Sequence, residues 1–124
     1  MKIAITTEEG HLQSAVQPQF GKARFFAVAD TGTANCRFHA VPEHMNSART
    51  PDMQLARHII ECGVDTVATG AISPEAHAML QDKGLEVHLG IQGVVQQVIK
   101  QFAMQYMIDP FTIERVAELY YDQL

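Results

Sequence analysis

The feature that most restricts what this chain can fold into is a doubled unit in its second half. Residues 64–69 (VDTVAT) are a short apolar run followed by Gly70, and Ser73-Pro74 then opens a helical run over 74–82 that stops at Gly84. Residues 85–89 (LEVHL) repeat the pattern, with the turn Gly90-Ile91-Gln92-Gly93 leading into a helix over about 94–104. Apolar runs this short, bounded by glycine and alternating with longer 3.6-period segments, read as strands between helices. Strands joined through a helix lie parallel, and the crossover is right-handed.

The first half has a different rhythm. Residues 2–7 (KIAITT) read as a strand, and residues 8–23, with Gly10, Pro18 and Gly21 and no period, as a loop. Residues 24–30 (RFFAVAD) and 34–41 (ANCRFHAV), separated by Thr31-Gly32-Thr33, predict a hairpin. The stretch 42–51 is closed by proline at both ends and lacks an apolar period; irregular loops of that length in small domains often carry function. Thr50 and Pro51 supply a helix start, Leu55, Ala56, Ile59 and Ile60 a buried stripe, and Gly63 a stop. Asp109-Pro110 begins a last helix by the same logic. The expectation is an α/β domain with a mixed sheet of five strands and helices on both faces. Residues 1–104 form its body, and residues 105–124 a C-terminal helical extension packed on it.

With 124 residues the chain is the size of one domain that can build its own core. No run of eighteen apolar residues suggests a membrane span, and the apolar start at residues 3–5 is too short for a signal-peptide core, so a cytoplasmic location is expected. Cys36 and Cys62 provide no disulfide framework. A net charge of −5 argues against nucleic acid as a partner. The charge is uneven: residues 19–58 hold five cations (Lys22, Arg24, Arg37, Arg49, Arg57) against three acids (Asp30, Glu43, Asp52). A local anion site on an acidic protein is one reading, and scattered surface charge the other.

Two kinds of residue are candidates for chemistry. The glycine junctions at 70–73 and 90–93 bring backbone amides to helix starts at the carboxyl ends of strands, where α/β proteins bind ligands and where anions are favoured. Tight turns alone also account for the glycines. Among soft ligands, strand alternation separates Cys36, with Phe38 and Ala40, from His39, with Arg37 and Val41. Cys36 and His39 therefore do not share a metal. Convergence of His39, His44 and Arg49 on one mouth of the domain is one reading, and three separately solvated polar groups the other. His58 is expected to point away from its helix's stripe, and His77 and His88 to lie on the surface. No zinc spacing and no nucleophile elbow is present.

The ordered landmarks MKIAITTEEG, QFGKARFFAVAD and ECGVDTVATGAISPEAHAMLQDKGLEVHLG resemble the dinitrogenase iron–molybdenum cofactor biosynthesis family over about residues 1–100. That family includes nitrogenase cofactor carriers, a domain of a radical cofactor-building enzyme, and small proteins, one type of which holds a molybdenum–copper sulfide cluster. The resemblance implies a ribonuclease H-like three-layer fold and non-catalytic binding of an anionic iron–molybdenum–sulfur cluster or its precursor, or a molybdenum–copper sulfide cluster. Ribonuclease chemistry is not implied, because Ile3, Ala4 and Ile5 stand where it needs an acid. Two departures fall near the expected site. Gln19 replaces the histidine usual before the Phe-Gly pair, and residues 45–50 (MNSART) replace a glycine-rich segment.

The resulting expectation is a carrier, not an enzyme. Gln19, Phe20, Gly21, Lys22, Arg24, His39 and Arg49 would surround the cluster, and His44 would ligate metal in place of the lost histidine. Cofactor-assembly or acceptor proteins are the expected partners, with no membrane and no nucleic acid, and a monomer and a homodimer fit equally. The runner-up is a module that has kept the fold, lost the cluster, and binds a small anion or a protein partner. A hydrolase ranks last, because no nucleophile–base pair is legible.

Overall fold

A computed structural model describes residues 1–33 and 35–106. The strands are β1 (Lys2–Thr7), β2 (Phe25–Asp30), β3 (Asn35–Ala40), β4 (Thr66–Ala68) and β5 (Glu86–His88). The helices are α1 (Glu43–Asn46), α2 (Pro51–Glu61), α3 (Pro74–Asp82) and α4 (Val95–Tyr106), and a 3-10 turn spans Phe20–Lys22. The sheet order is β3-β2-β1-β4-β5. β2 is antiparallel to β1 and β3, whereas β4 is parallel to β1 and β5. The hairpin and the two strand–helix units are thus both present, joined along β1.

Alternation along β1 assigns its residues to two cores. Ile3 and Ile5 enter one layer with Ala27, Ala29 and Ala68, closed by Val95, Val98, Ile99 and Phe102 of α4. Ala4 enters the other with Phe26 and Val67, closed by Leu55, Ala56 and Ile59 of α2 and Ala76 and Leu80 of α3. Helices on both faces make the three layers expected of the sequence. The inner strands β1, β2 and β4 are largely buried and read as nearly continuous apolar runs, whereas the edge strands β3 and β5 are exposed to half-buried. The last predicted helix, and the extension beyond α4, lie outside the described residues.

Local details depart from expectation in four places. The loop 8–23 is ordered by bridges from Thr7 to Val16, Ala15 to Val94 and Gln19 to Ala71. Thr50 occupies the N-cap of α2 without a side-chain cap bond, whereas Ser73 accepts from Ala76 N at the start of α3. The stretch 42–51 contains α1, held because Asn46 Nδ2 donates to the carbonyls of Gly21 (3.1 Å) and Ala23 (3.0 Å). His58 does not point away from the core: its ring stands edge-on to Phe26 at 5.6 Å. A partly buried imidazole packs well on a phenyl ring, so the apolar stripe of α2 is wider than its aliphatic residues indicate.

Candidate functional site

At the carboxyl ends of β1 and β4 lies a cleft of about 270 Å³ lined by Gln19, Phe20, Gly21, Lys22, Pro51, Asp52, Ala71 and Ile72. Three segments distant in sequence meet there. Phe20 N donates to Ala71 O at 2.9 Å and Ala71 N to Pro18 O at 2.7 Å, so the 18–22 segment is pinned along the β4–α3 turn. Gly70 makes this approach attainable, because a Cβ there would overlap the backbone of Pro18. Beneath the pin, the buried hydroxyls of Thr6 and Thr69 are 2.7 Å apart, and Thr6 Oγ1 also donates to Gln17 O. Every buried side-chain polar atom among the described residues has a partner, so this wall is a rigid one.

The third segment is the start of α2. Asp52 Oδ2 accepts from Ser73 N at 2.7 Å, tying the first turn of α2 to the N-cap of α3. Gly21 leaves room for the carboxylate, since a Cβ there would overlap Asp52 Oδ1. Lys22 is the cation on the lining and is exposed. Among the described residues the ion pairs are His11–Glu9 and His88–Glu86, so Lys22, Arg24, Arg37 and Arg49 pair with no carboxylate.

The structure brings together four of the eight residues expected at a site: Gln19, Phe20, Gly21 and Lys22. Phe20 is 1% exposed and packs into the α2–α3 core, so its role is to anchor the turn rather than to contact a ligand. Arg24 and Arg49 are exposed and outside the lining, and His44 is exposed on α1. His39 stacks on Phe26 with ring centroids 5.1 Å apart, within the sheet surface rather than at the cleft. The convergence expected of His39, His44 and Arg49 is therefore absent from this lining. No group of three His, Cys, Asp or Glu side chains suited to a metal occurs among the described residues.

The remaining soft ligands have structural places. Cys36 packs against the α4-side core, and burial pushes its thiol up to about 11. Cys62, at the C-cap of α2, is also raised, by burial and then by the Glu61 charge. His88 is not a free surface group: it packs edge-on to Phe102 at 5.0 Å, joining β5 to α4.

Sequence reasoning points to the 70–73 junction, which supplies Ala71 and Ile72 to the cleft, but misses Pro51 and Asp52 as cleft residues. The one signal available was the shared Thr-Pro and Ser-Pro helix starts, which gave no hint that the two starts touch.

Residues 1–105, which carry the Phe20-Gly21 turn and both strand–glycine–helix units, match the family described as dinitrogenase iron-molybdenum cofactor. The chain belongs to that family. Among solved structures it resembles the apo form of the orange protein from Desulfovibrio gigas, at 27% identity and a TM-score of 0.76, over 82% of this chain and 85% of that one. It also resembles the crystal structure of PH0822, at 26% identity and a TM-score of 0.73, over 90% and 99% of the two chains. A Thermotoga protein solved by NMR shares the fold, with a TM-score of 0.64 at 19% identity over 88% and 97%. No curated protein matches the chain. Family membership connects the chain to the handling of metallocofactors of the iron–molybdenum type. No helix among the described residues is long and apolar enough to cross a membrane.

Proposed function

We propose that this member of the iron-molybdenum cofactor family is a non-catalytic carrier that holds an anionic metal–sulfide cluster, or its precursor, as cargo at the Gln19–Lys22 cleft. The observation that carries the reading is the cleft itself. It sits where open α/β sheets bind ligands, at strand carboxyl ends, and its wall is the Phe20-Gly21 turn within the family-matched region. Lys22 supplies a positive lip, with Arg24 and Arg49, which form no ion pair among the described residues, on neighbouring segments. The lining offers backbone and charge but no thiol or imidazole, which suits an assembled anion better than a bare metal ion. Among the described residues that line the cleft there is no nucleophile hydrogen-bonded to a base, and the reading is of a carrier.

Gln19 favours the runner-up, a family module that binds a small anion or a partner protein, because an amide is a poor ligand for soft metal. Anaerobic titration with iron–molybdenum cofactor or its precursor, followed by gel filtration and metal analysis, separates the two. The carrier reading expects about one cluster per chain to co-elute, and Lys22→Ala to weaken retention several-fold. Absence of metal from the folded protein's peak would reject it in favour of the module.

A further inference from the structure

The cleft has one acidic wall, and its position gives it a specific effect on cargo. Asp52 lines the cleft and forms no ion pair among the described residues: its Oδ2 is held by the amide of Ser73 at 2.7 Å, and its Oδ1 lies over Gly21. The same amide is the donor that an incoming anion would take at this strand–helix turn. The starts of α2 and α3, whose dipoles favour negative charge, both face the carboxylate. An internal anion therefore already satisfies the part of the cleft that most favours anions, while Lys22 remains open to solvent.

We propose that Asp52 is the specificity-determining residue of the cleft, an internal competitor that lowers affinity for anionic cargo and keeps its binding reversible. The inference rests on the carrier reading, and it adds which residue sets the affinity and in which direction. Cargo must either sit beside the carboxylate, at a Coulomb cost, or displace it from Ser73. Gly21 matters to both routes, because its missing Cβ is the space in which the carboxylate rests.

The test is binding of tetrathiomolybdate, a small dianionic metal sulfide, to the full chain and to two variants by anaerobic calorimetry. Asp52→Asn keeps an oxygen that can accept from Ser73 N and removes the charge, so its affinity should rise about tenfold. Lys22→Gln should lower affinity, and the gain in Asp52→Asn should shrink as salt is raised. Binding by Asp52→Asn alone would also bear the proposal out. Equal binding by wild type and Asp52→Asn would overturn it while leaving the carrier reading intact, and so would weaker binding by the variant. No binding by either protein would overturn both. If Asp52→Asn does not fold, the Ser73 amide resonance of the wild type serves instead. It should move on addition of tetrathiomolybdate, and a stationary signal in the bound protein would overturn the proposal.

Discussion

The two strand–glycine–helix junctions look alike in the sequence and have opposite fates in the molecule. They are neighbours: Gly90 N donates to Gly70 O and Ile91 N to Thr69 O, extending the parallel ladder past β4 and β5. At the second junction the first amides of α4 are already used, since Val95 N donates to Ser14 O and Gln96 N to Leu12 O. Val16 N in turn donates to Gly93 O, so the 12–16 segment closes that helix start with backbone. At the first junction the chain also returns, but it bonds Ala71, two residues before the N-cap of α3. Pro18 and Phe20 pin the turn, a cleft remains beside it, and the helix start is met by side chains, Asp52 on Ser73 N and the Ser73 hydroxyl on Ala76 N. A backbone plug cannot be displaced without unfolding a segment, whereas a side chain can rotate. The lesson is that a glycine turn before a helix marks a place where amides converge, and the returning chain decides whether a ligand can reach them.

The largest effect that should break this contrast is Gly70→Ala. Its Cβ meets the backbone of Pro18, which no rotamer change can move, so we expect a loss of about 3 kcal/mol, the upper end of overpacking costs, in urea unfolding. Loss of the Gln19–Ala71 bridge should accompany it, with cargo binding abolished. At the closed junction, Gly93→Ala forces a side chain onto a φ of 107° and should cost about 1–2 kcal/mol. It should leave tetrathiomolybdate affinity unchanged, and a change would mean that the second junction also takes ligand.

The smallest effect concerns the α4 side of the sheet, which we describe as closed. Burial holds the Cys36 thiol up at about 11 from an ordinary 9.0, so the folded state favours the neutral form. Its contribution to stability is fully present below about pH 9 and is lost as pH rises through about 11. Alkylation of Cys36 by iodoacetamide should accordingly be slow at pH 8 and accelerate across that window. Rapid modification at pH 8 would show this side to be open as well.

Much of the fold was legible because its signals are local. Alternation in residues 2–7 and 24–41 and the glycine-bounded runs in 64–93 predict strands within two residues of those observed, and Gly63 and Gly84 end α2 and α3 at positive φ as expected. The site was half legible. Gln19 to Lys22 stood out through a family landmark, but the histidines were misjudged, because imidazole reads as polar while His39, His58 and His88 each pack on a phenyl ring.

By itself the sequence determined the order of the five strands and of α2, α3 and α4, the parallel pairing of the second half and the division of β1 between two cores, since side-chain period and helix-crossover handedness are properties of neighbouring residues. Tertiary structure alone decided which glycine junction stays open, that Asp52 reaches Ser73, and that Asn46 holds the Phe20–Lys22 turn. Those contacts join residues 21 to 25 positions apart, and no periodicity encodes them. They form because packing α2 and α3 on one face of the sheet brings their starts together over Gly21, where the absence of a single Cβ leaves room for a carboxylate.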